Sequence, residues 1–209
     1  MVTEVAPNIH MVPRIRFANA YVVPGNGFKD NLILIDAGMP GNAARIIDFL
    51  GSLGNGMQLV ELTVVLTHPD IDHSGSAAEL KERIAGARVA IHEADAPRLS
   101  GEKELKEVRG LLGVLSRAVG PFLRFRPVQP DIVLKDGEAI GGLTVIHTPG
   151  HTEGSISLYS DRLQAMFVGD ALRTDGAGNL KLPSPAMTFN MVEAKNSIKK
   201  ISSYEYELL

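Results

Sequence analysis

Residues 67–76 read THPDIDHSGS, and four of the ten (His68, Asp70, Asp72 and His73) carry side chains that bind metals. Two histidines and two aspartates so close together are too dense for an ordinary surface loop. The flanks give the cluster a geometry. Before it, LTVVLT (62–67) is a continuous apolar run of the kind that fills a strand buried on both faces. After it, SAAELKERI (76–84) has helical period, with Ala77, Leu80 and Ile84 inward and a Glu79–Arg83 pair outward. Pro69 disfavours helix at His68, so the chain stays extended there, and His68 and Asp70 face the same side. Asp72 and His73 fall at the turn into the helix, whose N-terminus favours nearby carboxylates.

Two more segments end the same way, with an apolar strand running out into a metal-capable residue. LTVIHTPG (143–150) leads to His151, and LQAMFVG (163–169) leads to Asp170. In open α/β sheets the loops that leave strand C-terminal ends are where sites assemble. The other segments fit an α/β chain. IHMV, ANAYVV and NLILIDAG read as strands near the N-terminus, ARVAIH, DIVLK and SISLYS as later ones, and YEYELL could begin one more. PGNAARIIDFLGSLG (40–54) is an amphipathic helix with Ala43, Ile46, Ile47 and Leu50 on one face, and further helices are expected over 101–119 and about 190–202.

Composition limits the chemistry. The 209 residues suit a single domain over 1–209, and 44% apolar with 22% charged residues is ordinary for a globular protein. No apolar run reaches a membrane span and no signal peptide is evident, so the expected location is cytoplasmic, without a membrane partner. Cysteine is absent, which leaves His and carboxylate as the only strong metal ligands. A net charge of −3 offers no general attraction to nucleic acid.

These motifs carry a family resemblance. THPDIDHSGS resembles the HxHxDH signature of the metallo-β-lactamase superfamily. HTPGHTEGSISLY is similar to that family's second histidine motif, FVGDAL to its Gly-Asp motif, and LILIDAG to the strand ending in a structural aspartate, here Asp36. The resemblance runs from about residue 15 to the C-terminus. It implies a four-layer αβ/βα sandwich, two mixed β-sheets flanked by helices. It also implies two divalent metal ions, zinc first with iron or manganese as alternatives. His68, Asp70 and His151 would hold one ion, Asp72 and His73 the other, and Asp170 would bridge them.

Two departures stand out. Asp70 occupies the place of the family's second histidine. A His₂Asp set is harder than His₃, which shifts preference toward iron or manganese without excluding zinc. The family's last metal histidine has no counterpart either, because the six histidines are His10, His68, His73, His92, His147 and His151. The chain ends about where that residue would come, so either it is shortened just before the ligand, which is the expectation, or this member lacks it.

The resemblance implies metal-assisted hydrolysis of a small ester-, thioester- or lactone-like substrate by a metal-bound hydroxide, with Asp72 orienting the nucleophile or taking its proton. The alternative is a single-iron dioxygenase of the persulfide dioxygenase type, using His68, His151 and Asp170; a metal-impaired, non-enzymatic member is the third option. His147 reads as structural or as a support behind the ligand loop, His92 as a plain strand end that could line the rim, and His10 as structural. Arg173 could meet an anionic substrate or be a solvated loop residue. LLGVLSRAVGPFLRFRPV (111–128) reads as a core helix with solvated arginines at 117, 124 and 126, while Phe122 and Phe125 offer a cover for the site or a homodimer contact.

Overall fold

The computed structural model describes residues 4–27, 31–53, 61–104, 126–175 and 177–209. Its elements in chain order are β1 (Glu4–Ala6), β2 (Ile9–Met11), β3 (Tyr21–Pro24), β4 (Asn31–Ile35), α1 (Ala43–Leu53), β5 (Glu61–Val65), α2 (Ile71–Ser74), α3 (Ala77–Arg83), β6 (Arg88–His92) and α4 (Ala96–Leu99). There follow β7 (Ile132–Leu134), β8 (Ala139–Ile140), β9 (Leu143–His147), β10 (Ile156–Ser160), β11 (Ala165–Phe167), β12 (Arg173–Thr174), β13 (Leu180–Lys181) and α5 (Met191–Ile201).

Seven strands form one sheet in sequential order β1 to β7. It is mixed: β1 to β4 pair antiparallel, while β4, β5, β6 and β7 run parallel. The second sheet has the order β11-β10-β9-β8 and is antiparallel, with one parallel bridge from Ala165 to Leu208. YEYELL therefore contributes a single bridge rather than a strand.

Alternation along the strands generates the layers, since successive side chains point to opposite faces. Leu34, Val64 and Val89 face helices α1 and α3, where they pack with Ile46, Phe49, Leu50 and Leu80. Their neighbours Ile33, Ile35, Val65 and Ala90 face the second sheet and meet Val145, Ile156 and Leu158. On the far side of that sheet, Ile146 and Met166 pack with Ile201 of α5. The result is helix–sheet–sheet–helix, the expected αβ/βα sandwich. Strands β4, β5 and β6 are buried on both faces, which is why LTVVLT is apolar without alternation.

Small differences from the sequence reading have local causes. Phe49 completes the buried face of α1, and Ile47 packs partly buried at its edge. Helix α5 begins at Met191 because the Asn190 side chain caps it, accepting from the amides of Val192 and Glu193. The Glu79–Arg83 pair forms at 2.9 Å. The expected helix over 101–119 falls mainly outside the described residues, as do Arg117, Phe122, Arg124 and Phe125, whereas Arg126 pairs with Glu82 on the surface. No helix among the described residues is long and apolar enough to cross a membrane.

Candidate metal centre

His68, Asp70, Asp72 and His73 lie where β5 ends and α2 begins. Residues 66–70 join β5 to α2, and Asp70 takes the N-cap position of α2 in an extended conformation (φ −59°, ψ 146°). From the second sheet, the loop after β9 brings His151, and the short 3-10 turn Gly169–Ala171 after β11 brings Asp170. Gly169 is required there: its φ is +52°, and a Cβ would lie 2.8 Å from the Thr67 side chain. The two sheets thus present their strand ends to one another across the site.

The side chains form two clusters that share one histidine. His68, Asp70 and His151 bring one ligand atom each within 4.8 Å of one another, and so do His68, His73 and Asp170. Asp70 Oδ2 is 3.1 Å from His151 Nε2 and 3.8 Å from His68 Nε2. Asp170 splits its oxygens, with Oδ1 3.3 Å from His73 Nε2 and Oδ2 3.4 Å from His151 Nε2. Asp72 stands at the edge, its Oδ2 4.0 Å from His73 Nε2, so it adjoins the second cluster without entering it.

A buried support sets the orientation of two of these rings. Asp36, at the end of β4, is 3% exposed and has a left-handed backbone (φ +61°), a strained conformation for an aspartate. Its carboxylate accepts from the Thr67 amide at 2.8 Å, from the Thr67 hydroxyl at 2.9 Å and from His73 Nδ1 at 2.8 Å. The Thr67 hydroxyl has one proton and gives it to Asp36, which can only accept. Its oxygen therefore accepts from His68 Nδ1, 3.0 Å away. That places the lone pair of His68 on Nε2, an atom buried without a hydrogen-bond partner and turned toward Asp70. A buried imidazole nitrogen left in this state suits a metal ion, and the surrounding His and carboxylate donors fit a divalent one.

Electrostatics divide the three carboxylates and the histidines. Burial, reinforced by the neighbouring rings of His73 and His151, holds His68 well below its ordinary value, so it is neutral. Burial opposes charge on His73 too, but the charge of Asp36 and the hydrogen bonds to Asp170 and Asp36 outweigh it and raise His73 well above its ordinary value. Burial pushes Asp170 upward; the hydrogen bond from His73 and the charge on that ring overcome it and hold Asp170 well below the carboxylate range. Asp72 is raised, chiefly by burial.

Outside the cluster, His92 and His147 stack face to face with centroids 4.1 Å apart, and His147 Nε2 donates to the Glu153 carbonyl at 2.9 Å. Arg173 is exposed on β12 and donates to the Leu182 carbonyl. Asp95 escaped the sequence reading. It is fully buried beside the His151 loop, and only its place just after a strand end, ahead of a proline-containing helix, hinted at a role.

The sequence model of the Metallo-beta-lactamase superfamily matches residues 13–209, and the chain belongs to that superfamily. It is 32% identical over 197 residues to the uncharacterized protein YobT of Bacillus subtilis, covering 91% of this chain and 80% of that one. To the probable metallo-hydrolase YflN of the same organism it is 30% identical, covering 82% of this chain and 66% of the relative. It is 36% identical over 121 residues to the acyl-coenzyme A thioesterase MBLAC2 of Bos taurus, covering 53% of this chain and 41% of that protein. The chain therefore spans well under half of that thioesterase and just under two thirds of YflN. In fold it is similar to TTHA1623, crystallised in a di-iron-bound form, with a TM-score of 0.67 at 24% identity over 96% of this chain and 88% of that one.

Proposed function

We propose that this protein is a metal-dependent hydrolase acting on a small ester-, thioester- or lactone-like substrate. The observation that carries the reading is the pair of His/Asp clusters sharing His68, with one Asp170 oxygen directed to each. In this reading His68, Asp70 and His151 hold one divalent ion, His73 and Asp72 hold the second, and Asp170 serves both. Zinc, iron and manganese all suit the donor set, and the carboxylate at Asp70 favours the harder ions relative to an all-histidine site. The ions would supply a Lewis acid for a substrate carbonyl and acidify a coordinated water.

The chain's own residues do the rest. Asp36 and Thr67 fix the ring tautomers of His73 and His68, so that both Nε2 atoms are directed inward. Asp72, partly open to solvent beside His73, is placed to orient a water and take its proton. A cavity of about 620 Å³ adjoins His73 and Asp170, walled by Ile9, Met11, Ile15, Tyr21 and Phe167, with Arg173 also in its lining. That lining suits a substrate with an apolar acyl part. The relatives named as a metallo-hydrolase and an acyl-coenzyme A thioesterase point the same way. Asp70 weighs against the single-iron dioxygenase reading, because its carboxylate stands between His68 and His151, where that chemistry needs an open position.

The test is metal analysis of protein purified without added metal, followed by turnover of aryl ester, acyl-CoA and lactone substrates. About two divalent ions per chain, and hydrolysis that Asp72→Asn lowers by roughly 10²–10⁴, are expected. One iron per chain with oxygen uptake and no hydrolysis would move the assignment to the dioxygenase. A metal-free, inactive protein would sink both.

A further inference from the structure

The loop that carries His151 is gripped from two sides. On the side of α5, Asn190 donates its amide to the Gly150 carbonyl at 2.9 Å, Phe189 donates to the His151 carbonyl at 3.2 Å, and the Ser197 hydroxyl donates to the Pro149 carbonyl at 2.7 Å. On the side of α4 the grip is a buried side chain. Asp95, 0% exposed, accepts the Thr152 hydroxyl proton in a short hydrogen bond and also accepts the Gly154 amide. Since Thr152 gives its only proton to Asp95, the Ser155 hydroxyl, 2.7 Å away, donates to the Thr152 oxygen while accepting the Thr152 amide at 2.9 Å. The turn 152–155 is thereby closed on itself around one carboxylate.

The packing leaves no slack. A Cβ on Gly154 would lie 2.7 Å from the Asp95 backbone nitrogen and 2.8 Å from its Cγ, so the loop rests directly on Asp95. Arg98, also buried, reaches Asp95 at 3.4 Å and Glu153 at 2.7 Å, which ties the next residue of the loop to α4 and supplies the countercharge for the buried carboxylate. Lys103 adds a second contact to Glu153 at 2.9 Å. Thr152 is the residue directly after His151, so any shift of the turn moves the imidazole.

We propose that Asp95 is a positioning residue for the metal centre: through the Thr152 hydroxyl and the Gly154 amide it sets the backbone from which His151 reaches Asp70 and Asp170. It touches neither substrate nor reacting atoms. A fully buried carboxylate is costly to keep in a fold, and here two donors from one four-residue turn and one buried guanidinium offset that cost. A residue that only filled space between α4 and the loop would be better served by an apolar side chain. The proposal rests on the reading of His151 as a metal ligand.

The experiment measures Zn²⁺ affinity of the full chain by competition with a chromogenic chelator, together with the visible absorption of the Co²⁺-loaded protein and the melting temperature of the metal-free form. Asp95→Asn and Thr152→Val should each weaken Zn²⁺ binding by about 10–100-fold and alter the Co²⁺ bands, as changes behind a metal ligand do. Thr152→Ser keeps the hydroxyl and should bind within about two-fold of the parent, inside the error expected of a neutral change. Leu99→Ala, which removes a buried core contact of α4, should lower the melting temperature with Zn²⁺ affinity and Co²⁺ bands unchanged. Wild-type affinity in folded Thr152→Val, or an equal loss of affinity in Leu99→Ala, would reduce Asp95 to a structural residue and overturn the proposal. Absence of Zn²⁺ and Co²⁺ binding by the unmodified protein would instead remove the metal-ligand reading beneath it.

Discussion

The Thr67 hydroxyl lies 3.0 Å from His68 Nδ1, and because its proton goes to Asp36 it can only accept from that ring. One hydroxyl thus decides which nitrogen of His68 carries the lone pair. Thr67→Val, similar in shape but without the hydroxyl, should release the tautomer and weaken Zn²⁺ binding by about ten-fold. Thr67→Ser should restore it. Equal affinities for all three proteins, read by chelator competition, would remove Thr67 from the site.

Asp36 is the hub of the same network and its removal should be felt in stability. Asp36→Ala leaves the Thr67 amide and His73 Nδ1 buried without their acceptor. A cost of about 3 kcal/mol is expected from breaking a buried, hydrogen-bonded charge. Urea unfolding of the metal-free protein measures it, and a loss below about 1 kcal/mol, the scale of a surface pair, would contradict the assignment.

Asp70 sets the charge of the first cluster. Replacing it by histidine removes one negative charge from between His68 and His151. The ratio of Zn²⁺ to Mn²⁺ affinity should rise at least several-fold, because softer nitrogen donors favour zinc. Paired competition titrations on the two proteins give the ratio directly. An unchanged ratio would mean that Asp70 does not coordinate.

His92 predicts a pH dependence. Burial first, then the adjacent His147 ring, lowers it from the ordinary 6.5 to about 4. The folded form therefore takes up the proton later than the unfolded chain. Its contribution to stability is complete above pH 6.5 and is lost as the pH falls from there toward 4. His92→Phe keeps an aromatic partner for His147 and removes the titration, so its melting temperature should fall less than the parent's between pH 7 and pH 4.5. Parallel curves would show that His92 is not the titrating group.

Much of the fold and most of the candidate ligand set are legible in the linear chain. Strand β5 announces itself because a strand covered on both faces must be apolar throughout, and α1 because one covered face repeats every 3.6 residues. His68, Asp70, His151 and Asp170 stand out because each follows such a run at the point where the chain leaves a sheet. Those are local facts, written in neighbouring residues. Other facts are set by distance in space. The sharing of His68 by two clusters, the position of Asp72 at the edge and the split of Asp170 between His73 and His151 depend on how two sheets stack, which no spacing states. Asp95 shows the limit most plainly. Its partners Thr152 and Gly154 lie more than fifty residues away, so its burial and its hold on the His151 loop exist only once α4 packs against that loop. Sequence determines which side chains can bind a metal and which runs must be buried; packing decides which buried polar groups meet, because a hydrogen bond requires its donor and acceptor within about 3 Å.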